Sequence, residues 1–280
     1  MNRTIILIFL IYISCDLDDT TIVIYNELDN PVYFDGNGIT VKAKEWAEVG
    51  MTGELNGVTY IVTDREMLEE LIDEFGNTNH NLSIYCTSKI TDMSYLFHSP
   101  NSSSTFNQYL NSWDVSNVTN MSNMFYGASN FNQSIDLWNV SNVIDMSYMF
   151  SGAKEFNQEI NDWDVGNVAN MASMFANAFS FNKPLNNWNV SNVTDMNRMF
   201  RDEALGNEGS IFNQPLANWD VSNVTNMSLM FRNHRKFNQN LVLWNVNNVT
   251  DCFLFCENTV EWTLSKPLFN SCIELSLIHI

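Results

Sequence analysis

The sequence predicts an α/β repeat solenoid with one parallel strand and one short helix per rung, preceded by a small α+β cap. Three observations predict this fold. A pattern of 25 residues recurs through most of the chain, every copy keeps the same apolar columns, and the residues before the first copy show hairpin and helix patterns instead. A fixed period of this length is typical of solenoids, in which each repeat buries its apolar side against its neighbours.

The composition is that of a folded, strongly acidic protein. The 280 residues carry a formal net charge of −19, and 45% of them are hydrophobic. The apolar content excludes a disordered chain. The negative charge argues against a nucleic-acid partner, because phosphate binding needs clustered Lys and Arg.

Residues 1–14 have the pattern of a signal peptide. Arg3 precedes an apolar run over residues 5–13, which is too short to span a bilayer. Ser14 followed by Cys15 resembles a bacterial lipobox, so we expect Cys15 to be the acylated first residue of the mature protein and residues 15–30 to be a tether. An ordinary secretion signal or an uncleaved anchor is the alternative interpretation.

Three acidic residues follow the predicted lipidation site: Asp16, Asp18 and Asp19. Such a run resembles the signal that exports lipoproteins to the outer surface in Bacteroidetes, whereas a solvated tether is the simpler alternative. We therefore expect an exported protein that is lipid-anchored to the outer membrane and faces the cell exterior.

Residues 31–83 predict the α+β cap. The sequence DGNG at 35–38 and the pair Asn56-Gly57 suit hairpin turns between β-rich segments. A helix is predicted over residues 64–75, with Thr63 and Glu66 at capping-box spacing and Gly76 at the C-terminal cap. In this position the unit is expected to cover the apolar edge of the first rung.

Residues 84–257 predict the array, which has one partial and six full copies of the repeat. The template is F-N-x-x-φ-x-x-W-[DN]-V-x-N-V-x-[ND]-M-x-x-M-F-x-x-A, where φ is Leu or Ile. The full copies begin at Phe106, Phe131, Phe156, Phe181, Phe212 and Phe237, with six extra residues before the fifth. We predict a strand over F-N-x-x-φ-x-x-W and a turn with a short helix from the first Val to the final Phe, which makes a leucine-rich-repeat-like, right-handed array. Two Asn columns are invariant: the Asn after each leading Phe and the Asn before each second Val. Both are interpreted as buried and structural.

Two polar columns alternate between Asp and Asn. After each Trp stand Asp114, Asn139, Asp164, Asn189, Asp220 and Asn245. Before each first Met stand Asn120, Asp145, Asn170, Asp195, Asn226 and Asp251. We hypothesise that alternation relieves repulsion between like charges on adjacent rungs; duplication of a two-rung unit is the alternative. The dilution of the carboxylates also argues against a calcium ladder.

The cysteines at the end of the array predict one disulfide. Cys272 is expected to bond to Cys252 or Cys256 and so to clip the C-terminal cap, residues 258–274, onto the last rung. Three buried thiols are the alternative. Residues 275–280 resemble a translated sequencing adapter and are interpreted as a non-native tail.

The repeat FNQ-x-I-x-x-WDVSNVTNMSxMF resembles that of the BspA-like leucine-rich-repeat surface lipoproteins. The resemblance covers residues 86–272, and the segments at 57–66 and 262–267 are also similar to those that flank such arrays. It implies adhesion or binding at the cell surface. We expect no cofactor. No enzyme is expected, because the four His are scattered and no catalytic or metal-binding motif occurs.

Candidate ligand-binding residues are the positions that the repeat leaves free on the predicted strand face. They are Tyr109, Asn111, Ser134, Asp136, Glu159, Asn161, Pro184, Asn186, Pro215 and Asn240. A second candidate is the insertion at 201–211 with Arg198, Arg232 and Arg235, which form a basic spot or simply solvate the surface.

Two functions remain open at this stage. The first is a non-catalytic adhesion or ligand-binding module for a protein or glycan, attached to the membrane through its lipid. The alternative is a structural or spacer lipoprotein of the envelope without a dedicated ligand.

Overall fold

The computed structural model describes residues 29–74, 76–101, 104–204, 209–270 and 272. The predictions for residues 1–14, for Cys15 and for the tail at 275–280 lie outside the described residues. Among the helices that are described, none is long and apolar enough to cross a membrane.

The cap consists of short strands and one short helix. In chain order its elements are β1 (Val32–Phe34), β2 (Val41–Ala43), β3 (Thr52–Leu55), β4 (Val58–Val62), α1 (Arg65–Glu69), a 3₁₀ turn (Leu82–Ile84) and β5 (Tyr85–Cys86). Strands β1 and β2 form one antiparallel pair. Strand β4 pairs antiparallel with β3 and parallel with β5, so the second sheet has the order β3-β4-β5.

Both predicted hairpin turns occur in the cap. In the first, the Asp35 N–H donates to the Thr40 carbonyl at 2.8 Å and the Gly38 N–H donates to the Asp35 carbonyl at 2.8 Å. In the second, Asn56 and Gly57 have φ angles of 54° and 78°. A two-residue turn that matches the twist of its strands needs positive φ at both positions, which Asn and Gly tolerate.

The cap helix is shorter than the sequence predicts. Helix α1 ends at Glu69 rather than at residue 75, and its N-cap is Asp64, whose carboxylate accepts the Met67 N–H at 2.9 Å. After the helix, the Asp73 N–H bonds to the Asn77 carbonyl, which takes the chain out of the helical pattern. Gly76 therefore caps no helix. It has φ +72° and lies so close to the Phe97 backbone that a Cβ would stand 2.5 Å from its carbonyl oxygen.

The cap is hydrogen-bonded directly to the first copies of the repeat. The Val41 N–H donates to the Ser112 carbonyl at 2.9 Å. The Arg65 guanidinium donates to the Asp92 and Ser94 carbonyls at 3.0 and 2.7 Å. Because β5 is also the start of the partial copy, the cap continues into the array without a break.

The strand and short helix predicted for each rung are corrected by the structure. Beyond β5, the described residues contain no helix and no strand of two or more residues. Parallel bridges join the rungs at one column only, the residue before the first Met, and run through Asp92, Asn120, Asp145, Asn170, Asp195, Asn226 and Asp251. The leucine-rich-repeat-like class and the right-handedness of the array remain predictions.

Consecutive turns take the place of the predicted helix. In the copy that begins at Phe106, the N–H groups of Met121, Asn123, Phe125 and Gly127 donate to the carbonyls of the next rung at 2.7–2.9 Å. The N–H groups of Met124 and Tyr126 donate three residues back within the rung, at 3.2 and 3.0 Å. The segment is thus a ribbon of turns in which alternate residues bond between rungs. The same i, i+3 spacing of Met and Phe suits a helix, which is why the pattern misled.

The core is a stack of aromatic rings along the array. Phe125 lies 4.0 Å from Phe131 of the next copy and 5.7 Å from Phe150, measured between ring centroids. The Trp rings stack in the same way, with Trp138 6.4 Å from Trp163. Each Trp of copies two to six also donates its indole N–H, at 2.9–3.1 Å, to the carbonyl of the Leu or Ile in the preceding rung. A buried indole needs such an acceptor, so the Trp column fixes the register of the rungs.

The alternating Asp/Asn column lies on the bridge ladder. Its Asn side chains donate to the Asp carboxylate of the preceding rung, Asn120 to Asp92 at 3.5 Å and Asn170 to Asp145 at 3.2 Å. Asn226 bonds in the same way to Asp195, at 3.4 Å. An amide between two carboxylates replaces a repulsion with a hydrogen bond, which supports the electrostatic hypothesis for this column.

The array ends in a disulfide between Cys252 and Cys272, one of the two pairings that the sequence left open. Cys256 is buried and is not disulfide-bonded. Phe269 packs its ring edge-on against Phe255 at 5.0 Å. The C-terminal segment therefore covers part of the last rung.

Candidate ligand-binding surface

The predicted ligand-face residues do not lie on a strand, and several of them hold rungs together. Asn111 is only 6% exposed. Its amide donates to the Asp136 carboxylate at 2.8 Å, and its carbonyl oxygen accepts the Leu137 N–H. Asn161 accepts a backbone N–H from the next rung in the same way. The others are half-buried or exposed, namely Tyr109, Ser134, Glu159, Pro184, Asn186, Pro215 and Asn240. Asn111 is therefore a poor candidate for contact with a ligand.

The two invariant Asn columns are structural, but they are not buried as predicted. In the first, each Asn side chain accepts the N–H of the equivalent Asn in the next rung, as Asn107 does from Asn132 at 2.9 Å. In the second, each amide donates to a backbone carbonyl of the preceding rung, as Asn142 does to Ser116 at 2.7 Å. Members of both columns are half-buried or exposed.

A shallow depression of about 480 Å³ lies on the second Asn column. It is lined by Asn117, Thr119, Asn142, Ile144 and Asn167. The three Asn amides already donate to neighbouring rungs at 2.7–2.8 Å. The lining thus holds no charge and few free donors, which makes it a weak site for a specific ligand.

A more varied surface lies on the ribbon of turns. We define the turn strip as the third and sixth positions of each M-x-x-M-F-x-x-A segment. The third positions are Tyr95, Asn123, Tyr148, Ser173, Arg198, Leu229 and Leu254, all with φ between 50° and 61°. The sixth positions are His98, Tyr126, Ser151, Ala176, Arg201, Arg232 and Glu257. Because alternate N–H groups of the ribbon bond to the next rung, equivalent side chains stand side by side along the array.

The N-terminal end of the turn strip is aromatic. The His98 ring lies 5.4 Å from the Tyr95 ring and stacks on the Tyr126 ring at 5.2 Å. Tyr126 lies 6.3 Å from Tyr148 in the next rung. Partial burial lowers the pKa of His98, which keeps the imidazole neutral near pH 7. Four aromatic side chains therefore form a continuous row across three rungs.

The other end of the turn strip carries arginines. The Arg201 N–H bonds to the Arg198 carbonyl within one turn, and the Asp202 N–H bonds to the Arg232 carbonyl in the next rung. Arg201 pairs with Glu203 at 2.9 Å and Arg232 with Glu257 at 2.6 Å. These contacts place three of the sequence-predicted basic residues in one patch, whereas Arg235 stands outside the two columns.

Arg198 differs from its two neighbours in the strip. No described carboxylate lies within ion-pair distance of it, whereas Arg201 and Arg232 are each paired with a glutamate. Its Nε, like that of Arg201, is buried without a hydrogen-bond acceptor among the described residues. A buried guanidinium N–H that lacks an acceptor is costly, so such a group needs an explanation.

The insertion is closed at its base by one carboxylate. Asp202 is 2% exposed and accepts the N–H groups of Ala204 and Ser210, both at 2.7 Å. The two ends of the insertion are thereby fixed next to Arg201. Sequence reasoning identified the insertion but not this closure, because a lone Asp at an insertion boundary gives no specific signal.

The aromatic row was also missed from the sequence. The pattern predicts a helix for this segment, and a helix would not place equivalent side chains of successive rungs side by side. The available signal was the clustering of Tyr and His at the third and sixth positions of the first turn segments, namely Tyr95, His98, Tyr126 and Tyr148.

The described residues offer no group of three or more His, Cys, Asp or Glu side chains that could hold a metal ion. His234 lies fully buried beside Phe231 and Phe237, and neither ring nitrogen has a partner among the described groups. Desolvation lowers its pKa to about 4. This histidine is a neutral core residue.

Comparison with known proteins yields one family. The family described as "Mycoplasma protein of unknown function, DUF285" matches residues 65–185, 100–210 and 160–266. Overlapping matches are expected of a repeated sequence, because the same pattern aligns at successive copies. No curated protein and no solved structure matches the chain. The matches together span residues 65–266, well over half of the chain, so the protein belongs to this DUF285 family.

Proposed function

We propose that the protein is a BspA-like surface lipoprotein whose array is a non-catalytic module for adhesion or for binding a protein or glycan. In this proposal Cys15 carries the lipid that anchors the chain to the outer membrane, and the array faces the cell exterior.

One observation carries the proposal: the buried columns are constant from rung to rung, whereas the neighbouring outward columns vary. The Met and Phe columns of the turn segment are almost entirely buried. Between them, the third position changes from Tyr to Asn, Arg and Leu where it is half-buried or exposed, and it is a buried Ser at residue 173. A scaffold that keeps its core and varies its surface suits recognition, as in other repeat arrays.

The test is an adhesion assay with the mature chain. Beads coated with the protein are applied to panels of extracellular-matrix proteins and immobilised glycans, with soluble protein as competitor. The test variant has Tyr95, Tyr148 and Arg198 replaced by Asn, the residue that already occupies this column at position 123. We expect saturable, competed adhesion that falls in this variant. Beads that adhere to nothing on either panel contradict the proposal.

The structural alternative is favoured by the apolar surface at the end of the array. Leu243 is 84% exposed, and Val260 and Leu268 are also largely exposed. Large exposed apolar side chains at the end of an array favour association with a second copy. Sedimentation velocity of the mature chain distinguishes the two functions, since a spacer that assembles with like copies forms concentration-dependent oligomers, whereas a binding module does so only with its ligand.

A further inference from the structure

We propose that the turn strip binds an acidic glycan, with a sugar carboxylate on Arg198 and sugar rings against Tyr148 and Tyr126. This inference rests on the proposed binding function and names a site and a ligand class for it.

The carboxylate position follows from the arginine patch. Arg201 and Arg232 are already paired with Glu203 and Glu257, whereas Arg198 has no described carboxylate partner. A planar guanidinium matches a carboxylate in two parallel hydrogen bonds, and such charge-assisted bonds are strong in partly desolvated places. Since the neighbouring arginines are neutralised, the patch takes a ligand with one carboxylate rather than a dense polyanion.

The sugar positions follow from the aromatic row. Tyr126 and Tyr148 lie in adjacent rungs with ring centroids 6.3 Å apart. Sugar rings present apolar C–H faces that pack on aromatic rings, and a Tyr hydroxyl adds a polar group at the edge. The row thus offers consecutive ring faces along the direction of the array.

The spacing links the two ends of the site. Tyr148 and Arg198 occupy the same column two rungs apart, about 10 Å at the usual strand spacing. Between them stands Ser173, a small residue that raises no bulky side chain above the strip. A disaccharide spans a distance of this order, so one ligand reaches both the ring and the guanidinium.

A peptide fits this surface less well than a glycan. An extended peptide that adds to a sheet edge does so through backbone hydrogen bonds. Here the N–H groups of the ribbon are used, alternately within and between rungs. The ribbon therefore offers an extended peptide no free N–H groups, and a ligand must be recognised by the side chains of the strip. The Tyr rings and the Arg198 guanidinium of the strip suit the rings and the carboxylate of a glycan.

Isothermal titration calorimetry on the mature chain tests the proposal. The probe is a hyaluronan tetrasaccharide, which alternates glucuronic acid with N-acetylglucosamine, and its carboxyl-reduced form is the neutral counterpart. The variants are Arg198→Gln and Tyr148→Asn. Arg235→Gln is the matched control, because it removes the same charge outside the strip. Thermal melts of all variants check that they are folded.

The acidic tetrasaccharide is expected to bind and the reduced form to bind at least tenfold more weakly. Arg198→Gln should raise Kd by about tenfold or more, the usual effect of losing a charge-assisted hydrogen bond. Tyr148→Asn should weaken binding of the acidic form, and Arg235→Gln should leave Kd within about twofold.

The inference fails if the acidic tetrasaccharide does not bind, and three further results would also overturn it. One is equal loss in Arg198→Gln and Arg235→Gln, which indicates general electrostatics. Another is equal binding of the reduced form. The third is selective binding of an oligoglutamate peptide in place of the tetrasaccharide, which makes the strip a protein site. If bead adhesion persists while the tetrasaccharide fails to bind, this inference fails and the proposed function stands. If the tetrasaccharide binds while the beads adhere to nothing, the site and glycan binding are retained and only the adhesion role is rejected.

Discussion

Ser173 combines two unfavourable features in one residue. Its backbone is left-handed, with φ 57°, and its side chain is 1% exposed with a hydroxyl that has no partner among the described residues. The ribbon of turns imposes the backbone conformation, because the Ser173 N–H must donate to Asn197 in the next rung. Replacement by Gly should therefore stabilise the protein.

The size of the effect follows from three contributions. A left-handed backbone costs an L-residue roughly 1–2 kcal/mol, which Gly avoids. A buried hydroxyl without a partner costs about 1–3 kcal/mol, which Gly removes. The greater freedom of Gly in the unfolded chain opposes these gains by about 0.5–1 kcal/mol. We expect Ser173→Gly to raise the free energy of unfolding by about 1–3 kcal/mol.

The assay is urea unfolding followed by Trp fluorescence, with two companion variants. Ser173→Ala removes the hydroxyl but keeps the left-handed strain, so its gain should be smaller than that of Gly. Asn123→Gly is the control in the same column. Asn tolerates positive φ, so this change should alter the unfolding free energy by less than about 0.5 kcal/mol.

A Ser173→Gly protein that is less stable than the parent would refute the reasoning, provided that Asn123→Gly is neutral. Such a result would mean that the Ser side chain contributes packing that outweighs both costs.

Three further predictions concern the core, the ladder and the end of the array. Burial depresses the pKa of His234 to about 4 in the folded protein, whereas its usual pKa is near 6.5. The stability that the neutral, buried imidazole contributes is therefore fully present above pH 6.5 and is lost as the pH falls towards 4. Ala occupies this position in other copies of the repeat. In His234→Ala, the decrease of the unfolding free energy with falling pH should be smaller by about 1 kcal/mol per pH unit between pH 6.5 and 5, and equal slopes in the variant and the parent would contradict this prediction. Asn170→Asp removes the hydrogen bond to Asp145 and places carboxylates in three consecutive rungs. In urea unfolding it should lower the unfolding free energy by about 1–2 kcal/mol at low salt, by less at 1 M salt, and by more than Asn139→Asp does. A loss that does not depend on salt contradicts the repulsion. Cys272→Ser removes the disulfide that closes a loop of 20 residues, so it should lower the unfolding free energy by about 3 kcal/mol. Chemical reduction of the parent protein should have the same effect. An unchanged melting temperature would mean that the disulfide does not hold the C-terminal segment on the last rung.

The apolar columns were predictable because burial leaves a direct mark on residue type. The Phe, Trp, Val and Met columns of the repeat are the core of the structure, with Trp138, Met146 and Phe150 all buried. The cap hairpins were predictable for a similar reason, since Asn56-Gly57 is chosen by its backbone angles. In both cases one physical demand selects a narrow set of residues.

The conformation of the turn segment was not predictable from local pattern. Tyr148, Arg198 and Leu229 all adopt left-handed backbone, although none of these residue types favours it. Hydrogen bonds to the next rung impose that conformation, and they depend on residues about 25 positions away. The turn strip could therefore not be recognised as a surface until the rungs were stacked.

The same limit applies to the alternating columns. The sequence shows that Asp and Asn alternate in two columns, but not which column carries the bonds between rungs. Only the column of Asn170 lies on the bridge ladder, where the amide reaches the carboxylate of Asp145.

The central claim is that the array is displayed at the cell surface to bind. The most direct measurement is protease treatment of intact cells, followed by detection of the full-length protein, with a protein from inside the envelope as control. The account predicts loss of the full-length protein while the control stays intact. Protection until the envelope is broken would contradict surface display and would favour a structural role within the envelope.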